Sequence, residues 1–294
     1  MRDINKEIIE IAQELLESNK VDMVLGYTKG ERPDQTFPFI AKTKEEAERL
    51  TFDYYSYNSL SKYLLDDMYQ GKKIAIFLKG CDFRGLKLMI GEDRVKREDL
   101  HLIGLDCPGV KRGESVSPYC LSCRLNNVPK EEVDTKISTS LEPLVERKYS
   151  HEESFSEIND IEKMSNEERF EYWKRQLSRC KRCYSCRNGC PVCTCRVCLF
   201  DRENPGYIDG ATDQLAQHQF YHVIRAFHVA DRCVGCGECS RVCPENIPLH
   251  LLSQKLIREL EKFYGTYTTG VDELPTPLST AKANDPDHFG KEVK

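Results

Sequence analysis

Tryptophan occurs once in this 294-residue chain and methionine five times. No stretch approaches the ~20 consecutive apolar residues of a membrane-spanning helix, which excludes an integral membrane protein of that kind. A basic block is also missing. The 43 Lys and Arg face 48 Asp and Glu, a formal net charge of −5, which argues against nucleic acid as the main partner. The opening residues, MRDINKEIIEIAQELLE, are too acidic and too periodic for a signal peptide, so a cytoplasmic location is expected. No G-x-G-x-x-G fingerprint is present, and no serine–histidine–acid order or carboxylate pair stands out. Charged residues are 31% of the chain, yet its apolar residues come in ordered runs, so it is not a disordered polymer. What the chain has in excess is cysteine, 15 in all. An odd count with Cys-x-x-Cys spacing opposes a secreted disulfide scaffold, and in a reducing cytosol it points to bound metal.

The length fits two domains. Ile4, Ile8, Ile11 and Leu15 recur at helical spacing, so an amphipathic helix opens the chain. Residues 21–27 and 37–41 read as strands around the polar segment GYTKGERPDQ (26–35), which a β-turn explains better than a phosphate loop. Helical patterns follow at 43–50 and 57–69. KIAIFL (73–78) is a strand, Lys79-Gly80-Cys81 a turn, a helix starts near Asp82, and HLIGLDC (101–107) is a second buried strand. Strand, helix and strand with crossover length imply a parallel pair, so 1–128 is expected to be an α/β domain. Residues 129–165 are highly charged with few large apolar side chains and read as a linker, or as a solvated excursion of one domain. Helices are expected at 166–180, 212–230 and 247–265, making 166–265 an α-helical domain. Helix followed by cysteine block occurs twice, a weak internal repeat. The tail, 266–294, contains Pro275, Pro277 and Pro286 and is expected to lie extended on a partner.

Cys180, Cys183, Cys186 and Cys190 are spaced C-x2-C-x2-C-x3-C before Pro191, and Cys233, Cys236, Cys239 and Cys243 repeat this before Pro244. That is the bacterial two-cluster ferredoxin signature. Three thiolates on one tight loop reach three corners of a cube; the fourth lies too far along the chain and reaches the other cube. Cys180, Cys183, Cys186 and Cys243 are therefore expected to hold one 4Fe-4S cluster, and Cys233, Cys236, Cys239 and Cys190 a second. Gly235 and Gly237 let backbone N–H groups approach sulfide. Structural zinc would favour two separated Cys-x2-Cys pairs. Cys193, Cys195 and Cys198 add three thiols in CPVCTCRVC, a further cluster or zinc site if Asp201, His218, His222 or a distant cysteine completes it, or else inert shielding. Cys81 and Cys107 end predicted parallel strands where α/β folds place their sites, and Cys120 and Cys123 form a C-x2-C on the next loop. Those four are expected to converge on a third 4Fe-4S cluster; a buried thiol at Cys81 or Cys107, with zinc or nothing at the pair Cys120 and Cys123, is the alternative.

His218 and His222 share a helix face, but without an H-E-x-x-H arrangement packing against a cluster or partner explains them better than zinc. His228 lies on the same helix. Tyr172 and Trp173 read as core. Arg182, Arg187, Arg196, Arg225, Arg232 and Arg241 crowd the cysteines. Cations near a cluster raise its potential or dock an acidic partner, whereas a solvated basic face does neither.

Two segments carry a family resemblance. KIAIFLKGCDFRGLKLMI followed by LHLIGLDCPGV resembles the strand–GTPCQ–helix and strand–IGLFC segments of the beta subunits of deazaflavin-coenzyme hydrogenases and formate dehydrogenases, with Cys81 and Cys107 at the matching cysteines. CKRCYSCRNGCPVCTCRVC, RAFHVADRCVGCGECSRVCPENIPL and LPTPLSTAKANDPDHFG resemble iron–sulfur subunits that accompany formate dehydrogenase or hydrogenase modules and heterodisulfide-reductase-like flavoproteins. The resemblance covers roughly 73–123 and 166–290. It implies electron relay between a catalytic subunit and a flavin-bearing subunit. Larger members carry FAD in the N-terminal domain and exchange hydride with the deazaflavin. This chain departs there: about 125 residues is short for a complete flavin site. An FAD-containing subunit that itself oxidises or reduces a deazaflavin or nicotinamide coenzyme is the alternative reading, and a non-redox zinc-binding assembly module the second.

Overall fold

Asp3 accepts a hydrogen bond from Asn5 N and caps α1 (Ile4–Glu17). Ile4, Ile8, Ala12 and Leu15 form its buried stripe, with Ile11 only half-buried beside it. The computed structural model describes residues 3–121, 123–144, 153–204, 206–208, 214–283 and 285. Against α1 lies a sheet made of β1 (Met23–Lys29), β2 (Thr36–Ala41), β3 (Leu50–Thr51), β4 (Ile74–Leu78) and β5 (Leu100–Leu105), in the order β2-β1-β4-β5, with β3 pairing to β1. β1 and β2 form an antiparallel hairpin; β1, β4 and β5 run parallel, with Ile76 opposite Leu102. Every residue of β4 is buried, the continuous apolar run expected of a parallel strand covered on both faces.

Two short strands, β6 (Lys111–Arg112) and β7 (Ser115–Val116), form a separate ribbon. β8 (Thr135–Ile137) extends the sheet, parallel to β5 through Leu105 and Ile137. It corrects the reading of 129–165 as a linker, since the sheet's outer strand lies inside that charged stretch. Only Ile137 of the three is fully buried, so no periodic pattern marks it. The helix expected at 57–69 is instead two 3₁₀ turns, Ser61–Leu65 and Asp67–Tyr69.

The helices after α1 are α2 (Lys44–Ala47), α3 (Gly80–Gly91), α4 (Pro118–Leu121), α5 (Ser156–Glu162), α6 (Asn166–Leu177), α7 (Ser185–Asn188), α8 (Leu215–His228), α9 (Glu238–Arg241) and α10 (His250–Tyr264). α3 connects β4 to β5, the expected crossover. From α5 onward the described chain is helices and cysteine loops, with a second core around Leu177, Phe200, Tyr221, Ile247 and Leu249. α5 is stapled to α10 by Arg258 Nη1 on Asn159 Oδ1 and by Lys255 Nζ on Glu162, both at 2.5 Å.

The two layers meet over polar contacts. Ser59 N donates to Glu238 Oε1 at 3.1 Å, Arg232 Nε to Glu92 Oε1 at 2.6 Å, and Arg124 Nη2 to Glu261 Oε1 at 3.0 Å. The described part of the tail has no helix or strand, as expected of an extended segment, and part of it packs on this chain itself. Thr269 and Thr276 are buried, and Thr269 O accepts from Arg84 Nε at 2.9 Å. Pro286 and the residues after it lie outside the described part.

Candidate metal centres

A capping box of Ser165 and Glu168 starts α6, which delivers Cys180 three residues past its end. The loop that follows folds back on its first cysteine: Arg182 N donates to Cys180 Sγ at 3.3 Å. The second loop repeats this, with the Gly235 N–H on Cys233. In each repeat a short helix carries the third cysteine, Cys186 on α7 and Cys239 on α9, and the fourth comes after it.

The cysteines then exchange partners. Cys180, Cys183, Cys186 and Cys243 line one cavity of about 20 Å³, together with Tyr221 and His222. Cys190, Cys233, Cys236 and Cys239 line another of about 20 Å³, with Arg225 and Tyr119. The fourth cysteine of each motif thus stands with the first three of the other. A third cavity, about 80 Å³, is lined by Cys81, Cys107, Cys120 and Cys123 and also by Cys233 and Cys236. Cys81 sits in the first turn of α3 rather than in a free turn. Cys107 follows β5, where Cys107 N donates to Asn126 O at 2.9 Å. Cys120 lies in α4, with its Sγ accepting from Val110 N at 3.3 Å.

The start of α3 is pinned by a buried ion pair, Lys79 Nζ to Asp82 Oδ2 at 2.8 Å. Burial disfavours the Lys79 ammonium, but Asp82 foremost outweighs it and raises the Lys79 pKa above its ordinary value. Lys79 Nζ also donates to Asn58 O at 3.0 Å and contacts the Tyr27 hydroxyl.

α8 supplies a polar face to the first cavity. His218, Tyr221, His222, Arg225 and Ala226 are its buried residues, at helical spacing. His222 Nε2 lies 3.2 Å from Cys180 Sγ, and Tyr221 Oη lies 3.9 Å from Cys186 Sγ. Burial, then the charge of Arg225, pulls the His222 pKa down to about 3, so its imidazole is neutral. His218 Nδ1 meets Leu177 O at 3.3 Å. Both histidines thus pack beside the cysteine loop, while Trp173 packs against the second core. Helical spacing from His218, His222 and Arg225 was the signal for Tyr221, which shares their buried face and was not singled out from the sequence.

Cys193, Cys195 and Cys198 face different surroundings. Cys193 packs with Leu88, Val192 and Val234, Cys198 packs in the second core, and Cys195 is exposed on an open groove. Asp201 pairs with Arg187 at 2.7 Å. Residues 26–29 end β1 and 30–35 form the hairpin turn, closed by Gly30 N on Gln35 O at 2.9 Å.

All 15 thiols are free of disulfides. Among the described residues, no three His, Cys, Asp or Glu side chains close to the spacing of a single metal ion. The thiols instead ring small cavities in fours, a donor set that suits a compact multi-atom group. Burial pushes the Cys180 thiol up to about 11 and the Cys239 thiol up to about 12. Such thiols stay protonated unless a metal centre takes them as thiolates.

The ferredoxin-type cysteines, Cys180 to Cys243, lie in a segment that matches a known family. Residues 176–247 match the 4Fe-4S dicluster domain family. The chain is 32% identical over 108 residues to "F420-dependent formate dehydrogenase subunit beta" of Methanocaldococcus jannaschii, covering 37% of this chain and 27% of that one. It is 38% identical over 107 residues to the corresponding subunit of formate dehydrogenase 1 of Methanococcus maripaludis, covering 36% of this chain and 26% of that one. The chain thus spans about a quarter of the length of these two relatives. A ferredoxin-3 of Sinorhizobium fredii is 33% identical over 79 residues, covering 26% of this chain and 75% of that one. With this share of a ferredoxin's length and the match over 176–247, the chain belongs, through that segment, to the 4Fe-4S dicluster family.

Proposed function

We propose that the chain is an electron-relay subunit holding three 4Fe-4S clusters in a row, set between a formate dehydrogenase- or hydrogenase-type catalytic subunit and a flavin-bearing, heterodisulfide-reductase-like subunit. The observation that carries this reading is the order of the cavities. The set of Cys190, Cys233, Cys236 and Cys239 stands in the middle, because Cys233 and Cys236 also border the cavity of Cys81, Cys107, Cys120 and Cys123. The set of Cys180, Cys183, Cys186 and Cys243 is its other neighbour, through the interleaved fourth cysteines. In this reading each set ligates one cluster, and Cys193, Cys195 and Cys198 ligate none. The relatives' formate dehydrogenase names support the catalytic partner.

When bound, a 4Fe-4S cluster supplies one-electron transfer without making or breaking a substrate bond. The chain's own residues would hold each thiolate and donate N–H bonds to sulfur from Arg182 and Gly235. Cys183 is exposed, which gives the row a surface end beside α7. The free thiols fit a reducing, cytoplasmic setting.

The test is iron, zinc, acid-labile sulfide and flavin per chain on anaerobically purified protein. About 12 iron and 12 sulfide without flavin is expected. About 8 iron would remove the N-terminal cluster, and zinc without sulfide would overturn the relay.

A further inference from the structure

Six arginines crowd the cysteine blocks, and the structure sorts them. Arg241 pairs with Glu238 at 2.6 Å, Arg232 with Glu92 at 2.5 Å and Arg187 with Asp201 at 2.7 Å, so a carboxylate cancels each charge locally. Arg182 is part-buried and donates to Gln217 Oε1 at 3.1 Å, and Arg196 is exposed. Arg225 differs. It is 5% exposed, and no carboxylate among the described residues pairs with it. Its Nη2 donates to the Cys186 carbonyl at 2.7 Å, and its buried Nε has no partner. The side chain lines the cavity of Cys190, Cys233, Cys236 and Cys239 while bonding the backbone of Cys186, which lines the other ferredoxin-type cavity.

A buried guanidinium without a counter-charge is costly, and it cannot shed its proton as a lysine would. The acidic groups nearest Arg225 are the thiols of Cys186, Cys190, Cys239 and Cys193. The first three belong to the two ferredoxin-type sets and would face the guanidinium as anions once a metal centre takes them as thiolates.

We infer that Arg225 is a counter-charge shared by the two ferredoxin-type clusters, which raises the reduction potentials of both. This rests on the cluster assignment proposed above. Each cluster gains one negative charge when it takes up an electron. A fixed cation at low dielectric stabilises that reduced state more than the oxidised one, so it favours uptake. Because Arg225 reaches both sets, it biases both in the same direction. It acts on the clusters through space and is a positioning residue rather than a ligand.

The experiment is an anaerobic redox titration followed by electron paramagnetic resonance on the full chain, with iron and sulfide counted for each protein. Cys183→Ser and Cys236→Ser assign the two signals. Arg225→Gln is expected to keep its iron and to lower both potentials, while Arg225→Lys, which keeps the charge, stays near wild type. Arg84→Gln serves as the control: Arg84 lines the third cavity and not the first, so the signal assigned by Cys183→Ser stays in place. An Arg225→Gln protein with full iron and either potential unmoved overturns the inference. If Arg225→Gln fails to load iron, loading and near-wild-type potentials in Arg225→Lys support the charge role. Failure of both variants overturns it in favour of packing. A wild-type protein without iron and sulfide sinks the cluster assignment and this inference with it.

Discussion

Arg182 and Gly235 hold the same place in the two cysteine loops, two residues after Cys180 and Cys233, and both lie in the left-handed region, at φ 47° and 61°. One residue past the next cysteine, Tyr184 and Gly237 repeat the match at 60° and 72°. The same backbone is thus built twice, once with side chains and once with glycine. Its purpose is to turn N–H groups toward the cysteine sulfurs. The two glycines are expected to respond differently to alanine. A Cβ on Gly235 meets nothing within 4 Å, so Gly235→Ala adds only the left-handed penalty of about 1–2 kcal/mol. A Cβ on Gly237 would lie 2.0 Å from Tyr119 Cδ2, so in Gly237→Ala the Tyr119 ring or the loop before α9 must shift. Thermal unfolding and iron content of the two variants check this. A Gly237→Ala protein no less stable than Gly235→Ala would be inconsistent with the contact.

The N-terminal cavity makes a separable prediction. Cys81→Ser is expected to lower the iron count by about four per chain and leave the two ferredoxin-type resonance signals in place. Cys195→Ser, on the exposed groove, is expected to leave the count unchanged. Iron analysis on both proteins decides it, and equal losses would contradict the three-cavity reading.

How much of this was legible beforehand depends on how local the signal was. The swap of Cys190 and Cys243 between cavities could be read because the spacing of C-x2-C-x2-C-x3-C is itself a statement about reach. β4 and β5 could be read because a strand buried on both faces is a continuous apolar run. β8 could not: three residues with one buried side chain look like the charged segment around them. The tail could be read as a segment without helix or strand, because proline and polar residues marked it as unable to form a core, but what it touches could not. Its contacts are hydrogen bonds to Asp231 and Arg84, partners chosen by the tertiary fold. The role of α8 was half legible. Its histidines stood out as a pair, but that Tyr221 and Arg225 share their face with a cysteine cavity required the folded loops.

His250 makes stability depend on pH. It opens α10, its N donates to Ser240 Oγ at 3.1 Å, and its ring meets Tyr119 edge-on at 4.7 Å. Its Nε2 lies 3.1 Å from Glu157, but that carboxylate is more than half exposed and screened. Burial pulls the His250 pKa from 6.5 to about 4. The folded state therefore holds a neutral ring, while the unfolded chain takes up a proton as soon as pH falls below 6.5. The associated stability is complete above that value and is lost as pH falls toward 4, on the order of 2 kcal/mol at pH 5. Unfolding midpoints of the anaerobic protein at pH 7.5 and pH 5 should differ more for wild type than for His250→Gln. The same difference in both would assign the effect to other groups.

Asp231 is the anchor of the tail. Its Oδ2 accepts from Thr276 Oγ1 at 2.5 Å and from Leu278 N at 3.2 Å, and its carbonyl accepts from Thr269 Oγ1 at 3.0 Å. Thr269 in turn holds Arg84 through its own carbonyl, and Tyr267 and Thr269 form part of the wall of the N-terminal cavity. Asp231→Ala removes the two side-chain bonds, each worth about 1.5–3 kcal/mol with a charged acceptor, and leaves the carbonyl contact intact. The tail is then expected to detach part of the time and open that wall to water. The consequence falls on one site: a chelator or dioxygen should strip the cluster held by Cys81, Cys107, Cys120 and Cys123 faster in Asp231→Ala than in wild type, while the first ferredoxin-type set, remote from the tail, keeps its rate. Time courses of iron release, resolved by the resonance signal of each cluster, provide the check. Uniform acceleration of all signals would mean that Asp231 supports the whole fold, and no acceleration would mean that the tail does not guard the cavity.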